Sequence, residues 1–190
     1  MKLLDNAKSH FRTITAHRHK VMEHCFRAGI GFQGLFHDLS KYSPTEFIPG
    51  MKYYQGDRSP NEKERETIGY SNAWMHHKGR NRHHYEFWTD YNPETKKMSG
   101  VKMPVRYFVE MVCDRMAASK TYRGADYKDS DPLEYFAGRK GRLMIHPKTA
   151  RQLEIVLTML AEKGEDETFR FLRKIVHKDR VKRIKSKLGL

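Results

Sequence analysis

Residues 103–124 read MPVRYFVEMVCDRMAASKTYRG. Pro104 suits the opening of a helix and Gly124 suits its end, because Pro is pre-set for the first turn and Gly tolerates the chain reversal. Val105, Phe108, Val109, Val112 and Met116 recur at steps of three and four, so they form one stripe. Tyr107, Met111 and Ala118 line the opposite side, and Asp114 lies with them. A helix that is apolar on two sides is packed on two sides. The spacing predicts a central helix from Pro104 to about Tyr122 and an all-α fold around it. An ionised carboxylate at Asp114 costs about several kcal/mol in such a place unless it is paired or bound to metal.

The flanking segments extend that helical reading. Residues 1–28 carry Leu3, His10, Ile14, His17, Val21, Cys25 and Ala28 on one face of a long helix, with Gly29 and Gly31 ending it. Ser43-Pro44-Thr45-Glu46, Ser59-Pro60-Asn61-Glu62 and Asp131-Pro132-Leu133-Glu134 each set a capping oxygen before a Pro and a Glu. They predict three helix starts, the second running from Pro60 to about Lys78. Residues 79–102 are polar and read as a long loop, ordered by Tyr85, Phe87, Trp88 and Tyr91, with a turn of helix near 85–88. Pro147 to Lys163 is amphipathic and closed by Gly164, and a last helix starts near Asp166 or Thr168. No strand alternation is evident. We read 1–130 as a metal-binding helical core and 131–190 as a helical extension packed on it, with a basic tail.

The 190 residues suffice for one domain with a proper core. Lys and Arg number 37 against 23 Asp and Glu, a net charge of +14. Ten Phe, ten Tyr and two Trp exclude a disordered chain. No run approaches the roughly 18 apolar residues of a membrane span, and Met1–His10 lacks a signal-peptide core. The expectation is a soluble cytoplasmic protein with no membrane partner. The lone Cys25 and Cys113 exclude a disulfide framework or a thiolate zinc site and read as small buried residues. The charge favours anionic partners. The segment from Arg170 on carries Arg170, Arg173, Lys174, Lys178, Arg180, Lys182, Arg183, Lys185 and Lys187 against Asp179 alone.

The eleven histidines are clustered. His10, His17 and His24 are two helical turns apart and share the inward face of the first helix. His37-Asp38, in LFHDLSK, pairs a nitrogen with a hard oxygen, a mixture suited to Mn, Fe, Co, Ni or Zn. Lys41 follows three residues on. His76-His77 end a predicted helix, and His77 follows Tyr70 and Trp74 at helical spacing. His83 and His84 read as part of a solvated basic loop.

In this order the residues resemble the HD superfamily of metal-dependent phosphohydrolases: a His on a first helix, a His-Asp doublet, further His ligands and an Asp on a later helix. His17, with Val21 four residues on, resembles the first His, and His10 is the competing candidate. His37-Asp38 resembles the doublet, Lys41 the Lys that often follows it, and Asp114 the closing Asp. DRMAASKTYRG is similar to the aspartate segment of the cyclic-dinucleotide-cleaving branch. HHKG is similar to that branch's double-His helix end, but Lys78 stands where the branch has Glu, and the Gly-Tyr-Pro signature is absent. The whole chain is similar to small bacterial and phage HD-like proteins, for which the resemblance supplies no substrate.

The resemblance implies an HD-domain-like helical bundle with basic C-terminal helices. It implies one or two divalent transition-metal ions held by His17, His37, Asp38 and Asp114, with His76 and His77 holding a second ion or donating to the leaving oxygen. Asp38, His77 and Lys41 would be catalytic. Lys41, Lys78, Arg80, Lys120 and Arg123 would meet the phosphate of a nucleotide or other small phosphate ester. Two alternatives stand beside this. A nucleic-acid-binding protein or HD-type nuclease would use the basic tail and the loop 79–91, and a di-iron oxygenase would use the same ligands.

Overall fold

Val109, Val112, Cys113, Met116 and Ala117 are fully buried along one helix, α6 (Val105–Arg123), and Phe108 and Met111 are nearly so. At roughly 1.5–3 kcal/mol for each large side chain, this helix anchors the core. The computed structural model describes residues 2–189. α1 (Lys2–Ala28) runs against α6 and contributes Val21, Cys25 and Ala28. α8 (Pro147–Lys187) closes the same core with Leu153, Val156, Leu157, Leu160, Phe169 and Leu172. α7 (Asp131–Ala137) adds Phe136. Residues before and after position 130 thus share one hydrophobic cluster.

The fold is mostly α-helical, as the periodicity predicts. α2 (Gly31–Gly34) turns back onto α1 so closely that a Cβ on Gly34 would lie 2.5 Å from the Cys25 Cβ. α3 (Pro44–Lys52) and α4 (Pro60–Ile68) begin at the expected Pro residues, yet neither Ser43 nor Ser59 makes a side-chain capping bond. The expected helix from Pro60 to Lys78 is two helices. Gly69 takes φ 85° and ends α4, and α5 (Asn72–Arg80) restarts where Ser71 Oγ accepts from the Trp74 N–H at 3.0 Å. α5 also runs through Gly79. The segment read as a loop holds a 3₁₀ turn, Tyr85–Phe87, and an unexpected antiparallel hairpin. Its strands, β1 (Thr89–Asn92) and β2 (Lys97–Gly100), pair Thr89 with Gly100 and Asn92 with Lys97. Four-residue strands are too short to show an alternation.

Gly164 ends the amphipathic half of α8, as expected: at φ 77° and ψ 179° its backbone is not helical, and the basic half restarts beyond it and runs to Lys187. Cys25 and Cys113 are both buried free thiols. No helix among the described residues is long and apolar enough to cross a membrane.

Candidate metal centre

Asp38 is the pivot of the site. It is 1% exposed and takes φ 53°, ψ 26°, a left-handed conformation uncommon outside Gly, Asn and Asp. The turn after α2 thereby drives its carboxylate inward beneath α1, α5 and α6. Two sets of ligand atoms meet around it. One is His17, His37, Asp38 and Asp114; the other is Asp38, His77, His83 and His84. Within the first set, His17 Nε2 lies 3.0 Å from Asp114 Oδ1, and His37 Nε2 lies 3.3 Å from Asp38 Oδ2. Within the second, His77 Nε2 and His83 Nε2 lie 3.2 and 3.4 Å from Asp38 Oδ1.

These shorter separations match the edges of a coordination polyhedron, while His37 Nε2 to Asp114 at 3.7 Å and His17 Nε2 to Asp38 at 4.0 Å are wider. Ligands about 2.1 Å from one ion stand roughly 3.0–3.4 Å apart. The inward Nε2 atoms of His17, His37, His77, His83 and His84 are buried with no well-angled hydrogen bond, and the same holds for both oxygens of Asp38. Buried polar atoms are rarely left so. The cluster could hold a metal ion.

Carboxylates behind the imidazoles fix which nitrogen faces inward. Glu110 lies 3.0 Å from His37 Nδ1 and 3.3 Å from His83 Nδ1. Glu46 lies 2.7 Å from His77 Nδ1. When the N–H sits on Nδ1 facing the carboxylate, the Nε2 lone pair is turned towards an ion. Gln33 holds Glu110, and Asn81 donates to Ser40 Oγ at 2.9 Å and to the His77 carbonyl at 2.8 Å.

Burial and the buried carboxylates pull the imidazoles in opposite directions. Burial alone would lower the His37 pKa, but Asp38, Glu110 and Asp114 outweigh it and hold it up to about 10. His77 is likewise raised against burial, by Asp38 and Glu46. At His17 burial wins over the Asp114 contact, and at His84 burial and the neighbouring histidines act together, so both are lowered. Burial would raise the carboxyls of Asp38 and Asp114; the surrounding imidazoles, with Lys41 at Asp38, hold both well below the usual range. Protons and a cation would compete for this position.

Of the residues singled out from sequence, His17, His37, Asp38, Asp114 and His77 come together. His76 does not join them: its Nδ1 lies 2.6 Å from Glu46 and it is half-buried behind the cluster. His10 is packed against Phe47, Tyr54 and the Gly50 backbone, apart from the ligand sets. Lys41 Nζ lies 2.7 Å from Asp38. Lys120 is occupied by Glu165, which also holds Arg27 at 2.7 Å. Arg123 is exposed, 3.9 Å from Asp131. Lys78 and Arg80 lie in the last turns of α5 and make no ion pair among the described residues.

The solvated-loop reading of His83 and His84 is overturned. The chain after α5 folds back, burying His83 and half-burying His84. Glu46 and Glu110 were also missed. Glu46 reads as a capping residue, but Glu110 stands one turn before Asp114 on α6, and that spacing could have flagged it.

A sequence pattern matches residues 6–159, a span that contains every member of the cluster and stops before the basic end of α8. The chain belongs to a family of unknown function, DUF5662. No curated protein and no solved structure matches it.

Proposed function

We propose that this member of the DUF5662 family is a metal-dependent phosphohydrolase of HD type, acting on a nucleotide or other small phosphate ester. The observation that carries the reading is the convergence of His17, His37, Asp38 and Asp114, with their inward nitrogens buried and no well-angled hydrogen bond made by them, and with Lys41 as the one cation against Asp38. The mixed nitrogen and oxygen donors suit Mn, Fe, Co, Ni or Zn. Asp38 faces both ligand sets through different oxygens, which suits two ions sharing one carboxylate. A divalent ion held by His17, His37, Asp38 and Asp114 would supply Lewis-acid chemistry there, lowering water's pKa from about 15.7 towards 7 and polarising a phosphoryl oxygen.

The chain's own groups do the rest. Glu110 and Glu46 orient the imidazoles, and Asp38 is placed to share ions or accept a proton from the attacking water. Lys41 sits beside Asp38, so its cation can meet a phosphate oxygen as negative charge develops. Lys78, Arg80 and Arg123 have no strong ion pair and remain available for the outer phosphate; Lys120 would first have to leave Glu165.

The test is elemental analysis of purified protein and of Asp38→Ala, followed by assay on p-nitrophenyl phosphate, bis-p-nitrophenyl phosphate and a nucleotide panel with Mn, Co, Ni or Fe. Metal in the wild type, its loss in the variant, and metal-dependent phosphate or nucleotide release support the reading. Metal-loaded protein that turns over none of them overturns it. Dioxygen consumption by the iron form in place of hydrolysis would favour the di-iron oxygenase.

A further inference from the structure

The last turns of α8 leave the body of the protein. From His177 to Gly189 every residue except the half-buried Asp179 is exposed. This arm carries Lys178, Arg180, Lys182, Arg183, Lys185 and Lys187 against Asp179 as its one acid, and Asp179 lies 2.9 Å from Arg183. Where the arm departs, a groove of about 220 Å³ runs between α8, α2 and the start of α6. Phe32, Gln33, Arg106, Arg180 and Arg183 are among the residues lining it. Neither Arg106 nor Arg180 faces a carboxylate at salt-bridge distance among the described residues. Phe32 is 78% exposed and stacks edge-on against Phe36, also exposed, with ring centres 5.4 Å apart. A phenylalanine pair this bare on a short turn, beside guanidinium groups with no carboxylate partner among the described residues, is not explained by packing.

The same character continues from the groove along the surface. Arg106 donates to the Tyr107 hydroxyl at 2.7 Å and lies over its ring. Arg82 reaches that hydroxyl at 3.2 Å and also lies near the Phe87 ring. Cations alternating with aromatic faces thus run from the arm to Arg82, the residue before His83.

We infer that this track binds single-stranded nucleic acid, with the arm and Arg106 on the phosphates and Phe32 and Phe36 stacking on unpaired bases. Cationic grooves with aromatic platforms bind single strands because every base offers a π-face. Paired bases cannot offer it, so a duplex is disfavoured. A membrane surface fits less well, since the arm's apolar stripe is only Val181, Ile184 and Leu188 and the aromatics sit on a different element. A second copy fits less well too, because each chain carries +14.

The experiment is fluorescence anisotropy with fluorescein-labelled dT20, its 20-base-pair duplex and an abasic 20-mer, in EDTA, on the full chain. Chelation separates this binding from any hydrolysis, so failure of one reading leaves the other standing. We expect dT20 to bind at 50 mM salt and to weaken steeply by 200 mM, with a log–log slope of about −0.7 per phosphate neutralised. Arg180→Glu with Arg183→Glu should flatten that slope. Phe32→Ala should weaken dT20 roughly five-fold or more and leave the abasic strand unchanged. Circular dichroism confirms that these surface variants fold. The inference is overturned by no binding of dT20 at 50 mM salt, by equal affinity for the duplex, by indifference of dT20 to Phe32→Ala, or by sedimentation showing a dimer that Phe32→Ala dissolves.

Discussion

Glu46 Oε2 lies 2.7 Å from Nδ1 of His77, and this contact decides which nitrogen His77 turns towards Asp38. Supporting carboxylates of this kind are worth about 10–100-fold in metal affinity. Glu46→Ala is expected to weaken the ion on the His77 side by that factor. Glu46→Gln should cost less, because its carbonyl still accepts from Nδ1. Titration of apo-protein against a chromophoric chelator measures both. Unchanged affinity in Glu46→Ala would show that the His77 side carries no ion.

His83 and His76 stand on opposite sides of the distinction between ligand and support. His83 Nε2 lies 3.4 Å from Asp38 Oδ1, whereas His76 meets Glu46 from outside. His83→Ala should lower metal content, towards one ion per chain if two are bound. His76→Ala should leave metal content as it is. Elemental analysis of the two purified variants decides this, and equal loss in both would remove the distinction drawn from the geometry.

The sequence carried α1, α6 and their inward faces plainly, because long helices repeat their apolar pattern several times. His17 and Asp114 were legible for a related reason, since each stands on the inner face of a helix the pattern located, whereas His37-Asp38 was legible as an adjacent nitrogen and oxygen donor pair. His83, by contrast, reaches the site through an irregular chain reversal after Asn81, and no periodicity encodes such a path. Glu46 was hidden by a second role, since a Glu two residues after Pro44 already looks like part of a helix start. The hairpin at Thr89–Gly100 is set by pairing between strands of four residues, which leaves no pattern within either.

An ion that binds only the folded chain stabilises it by mass action. At a metal concentration 100 times the dissociation constant the gain is about 2.7 kcal/mol. For a chain of this length that raises Tm by roughly 5–10 °C. Asp38 faces both ligand sets, so Asp38→Ala should lose the whole increment. Differential scanning fluorimetry with and without Mn, Co or Ni tests it. An equal rise in wild type and variant would place the ion elsewhere.

Gly50 has a packing reason to lack a side chain. A Cβ there would lie 2.2 Å from Nε2 of His10 and 2.6 Å from its Cε1. Gly50→Ala must push the ring or α3 away, at about 1–3 kcal/mol for overpacking. Gly50→Ala with His10→Ala should recover part of that loss. Urea unfolding of the single and double variants gives the coupling, and strict additivity would mean that the two residues do not touch.

His10 also sets a pH dependence that is separate from the metal ligands. Burial, and then the nearby Lys41 cation, lower its pKa from 6.5 to about 4. Between those values the unfolded chain takes up a proton that the folded chain refuses, so stability rises with pH. The contribution is complete above about pH 6.5, falls as the solution is acidified, and is spent near pH 4. Across that window it amounts to about 3 kcal/mol. The lowered His17, His24 and His84 act in the same direction, and the raised His37 and His77 oppose them. The His10 share is therefore read as a difference. Wild type and His10→Gln, unfolded in urea at pH 7 and pH 5 in the presence of EDTA, should differ in slope, with the variant losing less stability on acidification. Parallel slopes would mean that the ring already titrates near its ordinary value in the folded protein, and an NMR titration of its Cε1 proton would then find a midpoint near 6.5 instead of about 4.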